Sequence, residues 1–294
     1  MKGAIIINPF LVPKESVYQA QRLKEEFNKL KVQVDIITDG YLRASISENR
    51  LNIDFNDIDF AIYLDKDKYL SAILEKSGIR LFNSHSAIRV CDDKAETIIA
   101  LENEGVNLPK TVFGPLCYNK NLPVREKDAD EIIKKLSLPI IVKECYGSSG
   151  KGVYLVNTRE ELLAKMEEIK LTPHMYQEYI HYIIGVDVRL IVIGKKVVAC
   201  MKRQNDADFR SNIAQGGIGQ VFDCPSEFIK EAEKVATILD LDYCGVDLLI
   251  GEGQVPIVCE VNSNAFFNGI ESVTKVNVAK LYAEHVLDTI KNKN

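Results

Sequence analysis

Apolar positions in the first part of the chain switch between two spacings. Residues 3–7 (Gly-Ala-Ile-Ile-Ile) form an unbroken apolar run, the pattern of a strand buried on both faces. Pro9 and Pro13 then break the chain. Val17, Ala20, Leu23, Phe27 and Leu30 recur at intervals of three and four, which predicts a helix over 14–30. Strands are expected over 32–37, 60–64 and 79–82, with a helix over 69–76. Alternating strand and helix points to a small parallel α/β domain over residues 1–85.

A further helix is expected over 92–104, with Asp92 and Asp93 at its start, where the helix dipole favours acids. Residues 109–114 lead into a loop holding Pro115 and Pro123, and the pattern beyond it is α+β. A helix over 129–136 precedes a strand over 139–144, a glycine loop, a strand over 152–156, a helix over 160–169 and a strand over 174–179. Thr158-x-x-Glu161 reads as a capping box for the second of these helices. Gly185 opens two strands, 186–193 and 196–201, whose Gly194-Lys195 link predicts a hairpin. A helix over 227–239, two strands that each carry an acid, and a closing helix over 278–291 complete the chain. Three units follow: 1–85, 86–184 and 185–294. There is no internal repeat.

Composition narrows the class. The chain has 294 residues, 46% hydrophobic and 27% charged, with a net charge of −5, so it is long enough for several subdomains. The acidic balance provides no footprint for nucleic acid or an anionic membrane. Seven scattered cysteines, odd in number and without a CxxC pair, argue for a reducing compartment and against a disulfide framework or a zinc site. The apolar run at the N-terminus is too short for a signal peptide. No stretch reaches the ~20 apolar residues of a membrane helix. A cytoplasmic protein is expected.

Four stretches carry candidate chemistry. Gly245-Val246-Asp247-Leu248-Leu249-Ile250 and Pro256-Ile257-Val258-Cys259-Glu260-Val261-Asn262 each place an acid inside an apolar run. Glu260 and Asn262, two apart, share a strand face. With Asp247 they form either an oxygen-ligand set of the kind that holds Mg²⁺ or a hairpin with two solvated edge carboxylates. Lys143-Glu144-Cys145-Tyr146-Gly147-Ser148-Ser149-Gly150-Lys151-Gly152 ends a strand in a Gly/Ser loop. That loop is either a phosphate cradle of backbone N–H groups or a hairpin turn; it is not a P-loop, because a strand follows it. Gln177-Glu178-Tyr179-Ile180 and Gly185-x-Asp187-x-Arg189 read as a linker able to meet an adenine, or as an edge strand with a surface ion pair. Lys202-Arg203, Phe209-Arg210-Ser211-Asn212 and Gly216-Gly217 concentrate cations and glycines as an anion site would, or as a solvated loop. His85, His174, His181 and His285 are scattered and read as structural.

Taken in order, these stretches resemble the ATP-grasp superfamily, and within it the RimK-like amino-acid ligases. The matching segments are DDKAET (92–97), PIIVKECYGSSGKGV (139–153), QEYI (177–180), GVDVR (185–189), DFRSNIAQGG (208–217), GVDLL (245–249) and EVNSNAFFNGIE (260–271). The resemblance covers residues 84–294, and the first 80 only in their α/β character. It implies an N-terminal parallel α/β domain followed by two α+β subdomains that sandwich ATP. It implies that Lys94 and Lys143 contact the nucleotide and that Gly147, Ser148, Ser149, Gly150 and Gly152 belong to a flap over the phosphates. Gln177, Glu178, Tyr179 and Ile180 would form the adenine linker, with Asp187 as a further nucleotide contact. Arg210, Ser211 and Asn212 would lie near the terminal phosphate, with Arg210, Asn212 and Lys143 as catalytic groups. Asp247, Glu260 and Asn262 would ligate two Mg²⁺ or Mn²⁺ ions.

The implied activity is ATP-dependent ligation of a small-molecule or peptide carboxylate to an amine or amino acid through an acyl phosphate. A kinase acting on a small molecule and a nucleotide-binding regulator without turnover are the alternatives. A homo-oligomer is compatible with the sequence. The chain departs from the family at Ser263-Asn264-Ala265-Phe266-Phe267-Asn268, where many members carry Ser-Ser-Pro-Gly. The two phenylalanines suggest a substrate larger or more apolar than glutamate. Candidate substrate contacts are Arg189, Arg203, Asn264 and Phe266. The lysines of Asp65-Lys66-Asp67-Lys68-Tyr69 either meet an acceptor carboxylate or lie in a solvated loop.

Overall fold

The computed structural model describes residues 1–10, 14–55 and 58–292; the break expected at Pro13 lies outside them. The first unit holds β1 (Lys2–Ile6), α1 (Lys14–Lys29), β2 (Gln33–Ile37), a hairpin of β3 (Ala44–Ser47) and β4 (Arg50–Ile53), β5 (Phe60–Tyr63), α2 (Lys68–Lys76) and β6 (Arg80–Phe82). Its sheet runs β2-β1-β5-β6, parallel throughout, as unbroken apolar strands require.

The helix expected over 92–104 is α4 (Lys94–Leu101), shorter at both ends, and a helix that was not expected, α3 (His85–Asp92), precedes it. Asp93 divides them. Its extended backbone ends one helix, and its carboxylate caps the next by accepting from the backbone N–H groups of Ala95 and Glu96. A capping acid read as part of one long helix hides this break.

The second sheet contains β7 (Thr111–Phe113), β8 (Ile140–Glu144), β9 (Val153–Val156) and β10 (His174–Glu178), in the antiparallel order β7-β10-β8-β9. α5 (Glu126–Leu136) and α6 (Arg159–Ile169) cover one face, and Ile132, Leu136, Val142, Leu162 and Tyr176 form its own core. Thr158 caps α6 as expected, accepting from Glu161 N–H.

The third sheet runs β13-β12-β11-β14-β15, antiparallel. It comprises β11 (Val186–Ile193), β12 (Lys196–Gln204), β13 (Ile218–Val221), β14 (Tyr243–Ile250) and β15 (Pro256–Asn262), with α7 (Ser226–Ile238), α8 (Asn268–Thr274) and α9 (Val278–Lys291). Gly194 and Lys195 both have positive φ, 55° and 68°, the backbone of the tight turn that a two-residue hairpin prefers.

Two cores flank the third sheet, one shared with the first unit and one with α3 and α4. Phe27, Phe60 and Phe82 pack with Ile191, Met201, Tyr243, Tyr282 and Val286, so α9 lies where the first and third sheets meet. On the other face of the third sheet, Val188, Val246 and Phe228 pack with Ala87, Cys91 and Leu101 of α3 and α4. The second sheet and its helices stand apart from both, and a cleft opens between them and the third sheet. Among the described residues, no helix is long and apolar enough to cross a membrane.

Candidate active site

The cleft encloses about 910 Å³ and is lined from both sheets, the glycine loop, the 179–186 linker and the 209–212 loop. β8 carries Lys143 into it. This side chain is 7% exposed, and its Nζ donates to the Cys259 carbonyl at 3.4 Å. Among the described residues it has no ion-pair partner. Lys94, at the first turn of α4, comes from the opposite side. It donates to the Gly147 carbonyl at 2.9 Å and lies 3.8 Å from Glu260 Oε1. Burial pushes the Lys94 ammonium below its ordinary value; Glu260 opposes this, and Lys143 and Lys66 reinforce it. Two buried ammonium groups, one of them 3.8 Å from a carboxylate and the other without an ion pair among the described residues, leave this end of the cleft short of negative charge, a situation that a polyphosphate relieves.

The glycine loop closes over the same end. Gly147, Ser149, Gly150 and Gly152 all adopt positive φ, so the chain turns sharply with its backbone accessible. Arg210 Nη1 donates to the Gly150 carbonyl at 3.2 Å, and Gln215 Nε2 to that of Ser149 at 3.0 Å. Lys94 tethers the Gly147 end. Ser148, Gly150, Arg210, Ser211 and Asn212 all line the cleft. Gln215 was not anticipated. It lies inside the DFRSNIAQGG segment, but nothing in the residue type marks it as a clasp.

The other end of the cleft is apolar. Ile141, Val153, Tyr179, Ile180, Ile183, Ile184, Phe209 and Leu249 line it, and Tyr179 meets Phe209 edge-on at 6.4 Å. Such a slot suits a planar base. Of these, only Tyr179 and Ile180 were expected. The remainder belong to strand and linker runs whose apolar residues look like ordinary core. Gln177 lines the slot with its amide donated to Thr111 Oγ1 at 3.0 Å. Glu178 also lines it, but its carboxylate accepts from Lys110 N–H at 2.8 Å.

Four charges meet at the floor of the cleft, where Asp187 and Asp247 are among the lining residues and Arg189 and Arg203 are not. Arg189 and Asp247 face one another across β11 and β14, and Asp187 and Arg203 across β11 and β12. Arg189 donates to both Asp247 oxygens, Nε at 2.7 Å and Nη2 at 2.6 Å. Arg203 forks onto Asp187 and also reaches Asp247 Oδ2 at 2.9 Å. Burial disfavours the Asp247 carboxylate, but the two arginines outweigh it and hold its pKa down to about 2. Burial likewise disfavours the Arg203 charge, which Asp187 and Asp247 more than restore.

This corrects two expected substrate contacts. Arg203 is 2% exposed with its fork occupied, and Arg189 is committed to Asp247; neither lines the cleft. Asn264 and Phe266 do not line it either. Ala265 and Phe267 belong to the core shared with α1 and α9, and the Ala265 carbonyl accepts from Tyr243 Oη at 2.6 Å. Ala265 and Phe267 thus pack the interior, whereas Asn264 and Phe266 are only half-buried.

Asp247 and Glu260 are cross-strand partners on β14 and β15, and Asn262 lies opposite Gly245. Asp247 and Glu260 line the cleft; Asn262 lies at its edge, outside the lining. Three guanidinium N–H bonds leave Asp247 one lone pair on Oδ1, while Glu260 has only the distant Lys94 beside it. An all-oxygen set of this kind matches Mg²⁺ held by few carboxylates plus phosphate oxygens. Among the described residues no cluster of three or more His, Cys, Asp or Glu side chains could hold a metal without such a partner.

A fold with two α+β subdomains closing on a slot that is cationic at one end and apolar at the other defines an ATP-grasp enzyme. A family model of the RimK-like ATP-grasp domain matches residues 91–286, and the chain belongs to that family: it is an ATP-dependent ligase. It is 31% identical over 296 residues to a probable alpha-L-glutamate ligase 2 of Pseudoalteromonas atlantica, covering 95% of each chain. It is 34% identical over 233 residues to beta-citrylglutamate synthase B of Danio rerio, covering 78% of this chain and 56% of that one. Among solved structures, the D-alanine–D-alanine ligase of Bacillus anthracis superposes with a TM-score of 0.74 at 19% identity over 100% of both chains.

Proposed function

We propose that the protein joins a carboxylate to an amine by way of an acyl phosphate, with ATP consumed to ADP and phosphate. The observation that carries this reading is the pair of buried lysines, Lys94 and Lys143, that line the end of the cleft beneath the glycine loop, with Glu260 3.8 Å from Lys94. A carboxylate is a poor acyl donor because oxide would have to leave. Attack by its oxygen on the γ-phosphorus breaks the bond to the β-phosphate oxygen and releases ADP. The amine then attacks the acyl carbon, the C–O bond to phosphate breaks, and the amine's proton passes to solvent.

In this scheme Lys94, Lys143 and Arg210 hold the phosphate oxygens and offset the charge that moves onto them. The glycine loop, clasped by Arg210 and Gln215, keeps water from the mixed anhydride. Tyr179, Phe209 and the linker isoleucines hold the base. Glu260, Asp247 and Asn262 would hold divalent cations, which supply charge neutralisation on the phosphates when bound. Arg189 and Arg203 fix the direction in which Asp247 points. We place the unit boundaries at 85/86 and 184/185. Free cysteines at all seven positions support a reducing, cytoplasmic setting.

The test is a screen of paired acids and amines with ATP and Mg²⁺, read by mass spectrometry, in which ADP formation must require both partners. Glutamate heads the amine panel. Relatives carry its name, and of the two phenylalanines Phe267 lies in the core. Phosphate release without an amide product across the panel would count against the reading.

A further inference from the structure

Two of the seven cysteines meet at the outer edge of the third sheet. β12 and β13 pair Lys202 with Gln220 and Met201 with Val221. Carried one step past the end of β13, this register sets Cys200 against Phe222. Cys224, two residues on, points to the same side of the sheet. Cys200, Phe222 and Cys224 all pack on the core beneath α7. Both cysteines are only half-buried, so a small molecule can reach them.

The two sulfurs are near enough to share a proton. The Cys200 thiol donates toward the Cys224 sulfur, and this contact, with burial, raises the Cys200 pKa. The same contact lowers that of Cys224 against the opposing pull of burial. Elsewhere burial pushes thiols up: to about 12 at Cys91, to about 11 at Cys145, and upward at Cys244 and Cys259. Among these, Cys224 forms a thiolate most readily, and it has a second thiol beside it. That is the arrangement of an attacking and a resolving cysteine.

The pair also brackets the loop that reaches the nucleotide cleft. β12 ends at Gln204 and β13 begins at Ile218. Between them lie Arg210, Ser211 and Asn212 of the cleft lining and the Gln215 clasp. Asn205, 8% exposed, ties this loop to the end of β12, its Nδ2 donating to the carbonyls of Arg210 at 3.0 Å and Gln215 at 2.9 Å. A bond between the two sulfurs would close residues 200–224 into a ring with the loop inside it. Bonding draws the sulfurs to about 2 Å, and the strand that carries Asn205 moves with them.

We propose that Cys200 and Cys224 form a reversible disulfide in the presence of a peroxide, and that this bond loosens the hold of the 205–217 loop on the nucleotide. The Cys224 thiolate attacks a peroxide oxygen: an S–O bond forms, the O–O bond breaks, and the hydroxide that leaves takes up the thiol's proton. The Cys200 sulfur then attacks the Cys224 sulfenic acid. An S–S bond forms, the S–O bond breaks, and water departs with the Cys200 proton. Two thiols and one hydrogen peroxide give one disulfide and two waters. A dithiol reverses the change by exchange. The oxidation stands apart from the ligase reading; its effect on the nucleotide rests on that reading.

The experiment treats the full chain with hydrogen peroxide, blocks remaining thiols with N-ethylmaleimide and maps tryptic peptides by mass spectrometry. Cys200 and Cys224 fall in separate peptides, 197–202 and 211–230. The expected product is these two joined, lighter than their sum by two hydrogens and separated again by dithiothreitol. Cys200→Ser should instead leave a Cys224 sulfenic acid that dimedone traps, and Cys224→Ser should give neither product. Cys224 oxidised without the joined peptide overturns the pair, as does a bond from either cysteine to another. A Cys224→Ser protein that consumes peroxide as fast as the wild type overturns Cys224 as the attacking thiol. Calorimetry with Mg·ATP reads the second half: oxidation should weaken binding severalfold, dithiothreitol should restore it, and Cys200→Ser treated alike should stay within twofold of its untreated form. A wild-type change below twofold overturns the coupling to the loop. No Mg·ATP binding by the reduced chain overturns the ligase reading and the coupling with it, while the peptide map decides the disulfide regardless.

Discussion

Lys143 and Glu260 face the same few ångströms of cleft and fail in different ways when changed. Lys143 forms no ion pair among the described residues and makes only a long bond to a carbonyl, so its charge is held for a ligand. Lys143→Ala should weaken ATP binding by roughly 10- to 100-fold, the scale of one charge-assisted hydrogen bond; an unchanged dissociation constant would show that the lysine does not touch the nucleotide. Glu260 lies 3.8 Å from Lys94 and is the carboxylate proposed to hold a cation. Glu260→Gln keeps the shape and removes the charge. Turnover should fall by about a hundredfold or more, since a metal contributes several kcal/mol of charge stabilisation, and near-normal rates at low Mg²⁺ would remove Glu260 from the metal set.

The flap shows how one element turns residue geometry into gating. Gly150 has φ +75°, and a Cβ there would come within 3.0 Å of Asn212 Oδ1 and 3.2 Å of Arg210 Cδ. Gly150→Ala should hold the loop off the 210–215 segment, raising KM for ATP severalfold while the unfolding midpoint stays put; an unchanged KM would mean the clasp is idle. Elements of this kind separate what was legible in the chain from what was not. The glycine loop, the capped α6 and the Gly194-Lys195 hairpin are written in residue types with one dominant backbone use, and all three stand as read. The α3–α4 break, β7, β13 and α8 were not read, because short or half-exposed segments carry little periodicity. At the site, the charged and glycine positions stood out from their surroundings, and Lys94, Lys143, Gly150, Arg210, Asp247 and Glu260 line one cleft. The apolar slot of Ile141, Ile183, Phe209 and Leu249 did not stand out, since an apolar residue facing a base looks like one facing the core. Arg203 was misread for the reverse reason: a buried arginine with two carboxylate partners has the same letter as one awaiting substrate.

Across the whole molecule, a shared core joins the first and third units, and a single asparagine does much of the joining. Asn83, at the end of β6 and 2% exposed, donates to the carbonyls of Tyr243 and Ser263 at 2.7 and 2.8 Å. Its Oδ1 accepts from Asp242 and Tyr243 N–H at 2.7 and 3.0 Å. Arg80 adds a fork onto Asp242 at 2.8–2.9 Å, and Tyr282 of α9 donates to the Phe82 carbonyl at 3.1 Å. The amide thus fills every position a side-chain amide offers, all on the strand ends that lead to Asp247 and away from Asn262. Asn83→Ala would leave two backbone donors and two acceptors buried without partners. At about 1–3 kcal/mol for each orphaned group, the loss should reach about 4 kcal/mol or more, a large part of the margin of an ordinary domain. Urea unfolding followed by far-UV circular dichroism measures it. A single transition displaced by that amount fits a joint shared by both units, whereas a loss below ~1 kcal/mol would show that water replaces the amide and that the hydrophobic core around α9 alone holds the units together. Asp208→Asn offers the matched control, because among the described residues Asp208 pairs with the neighbouring Arg210 alone. It should disturb nucleotide affinity while leaving the urea midpoint in place, the opposite signature to Asn83→Ala.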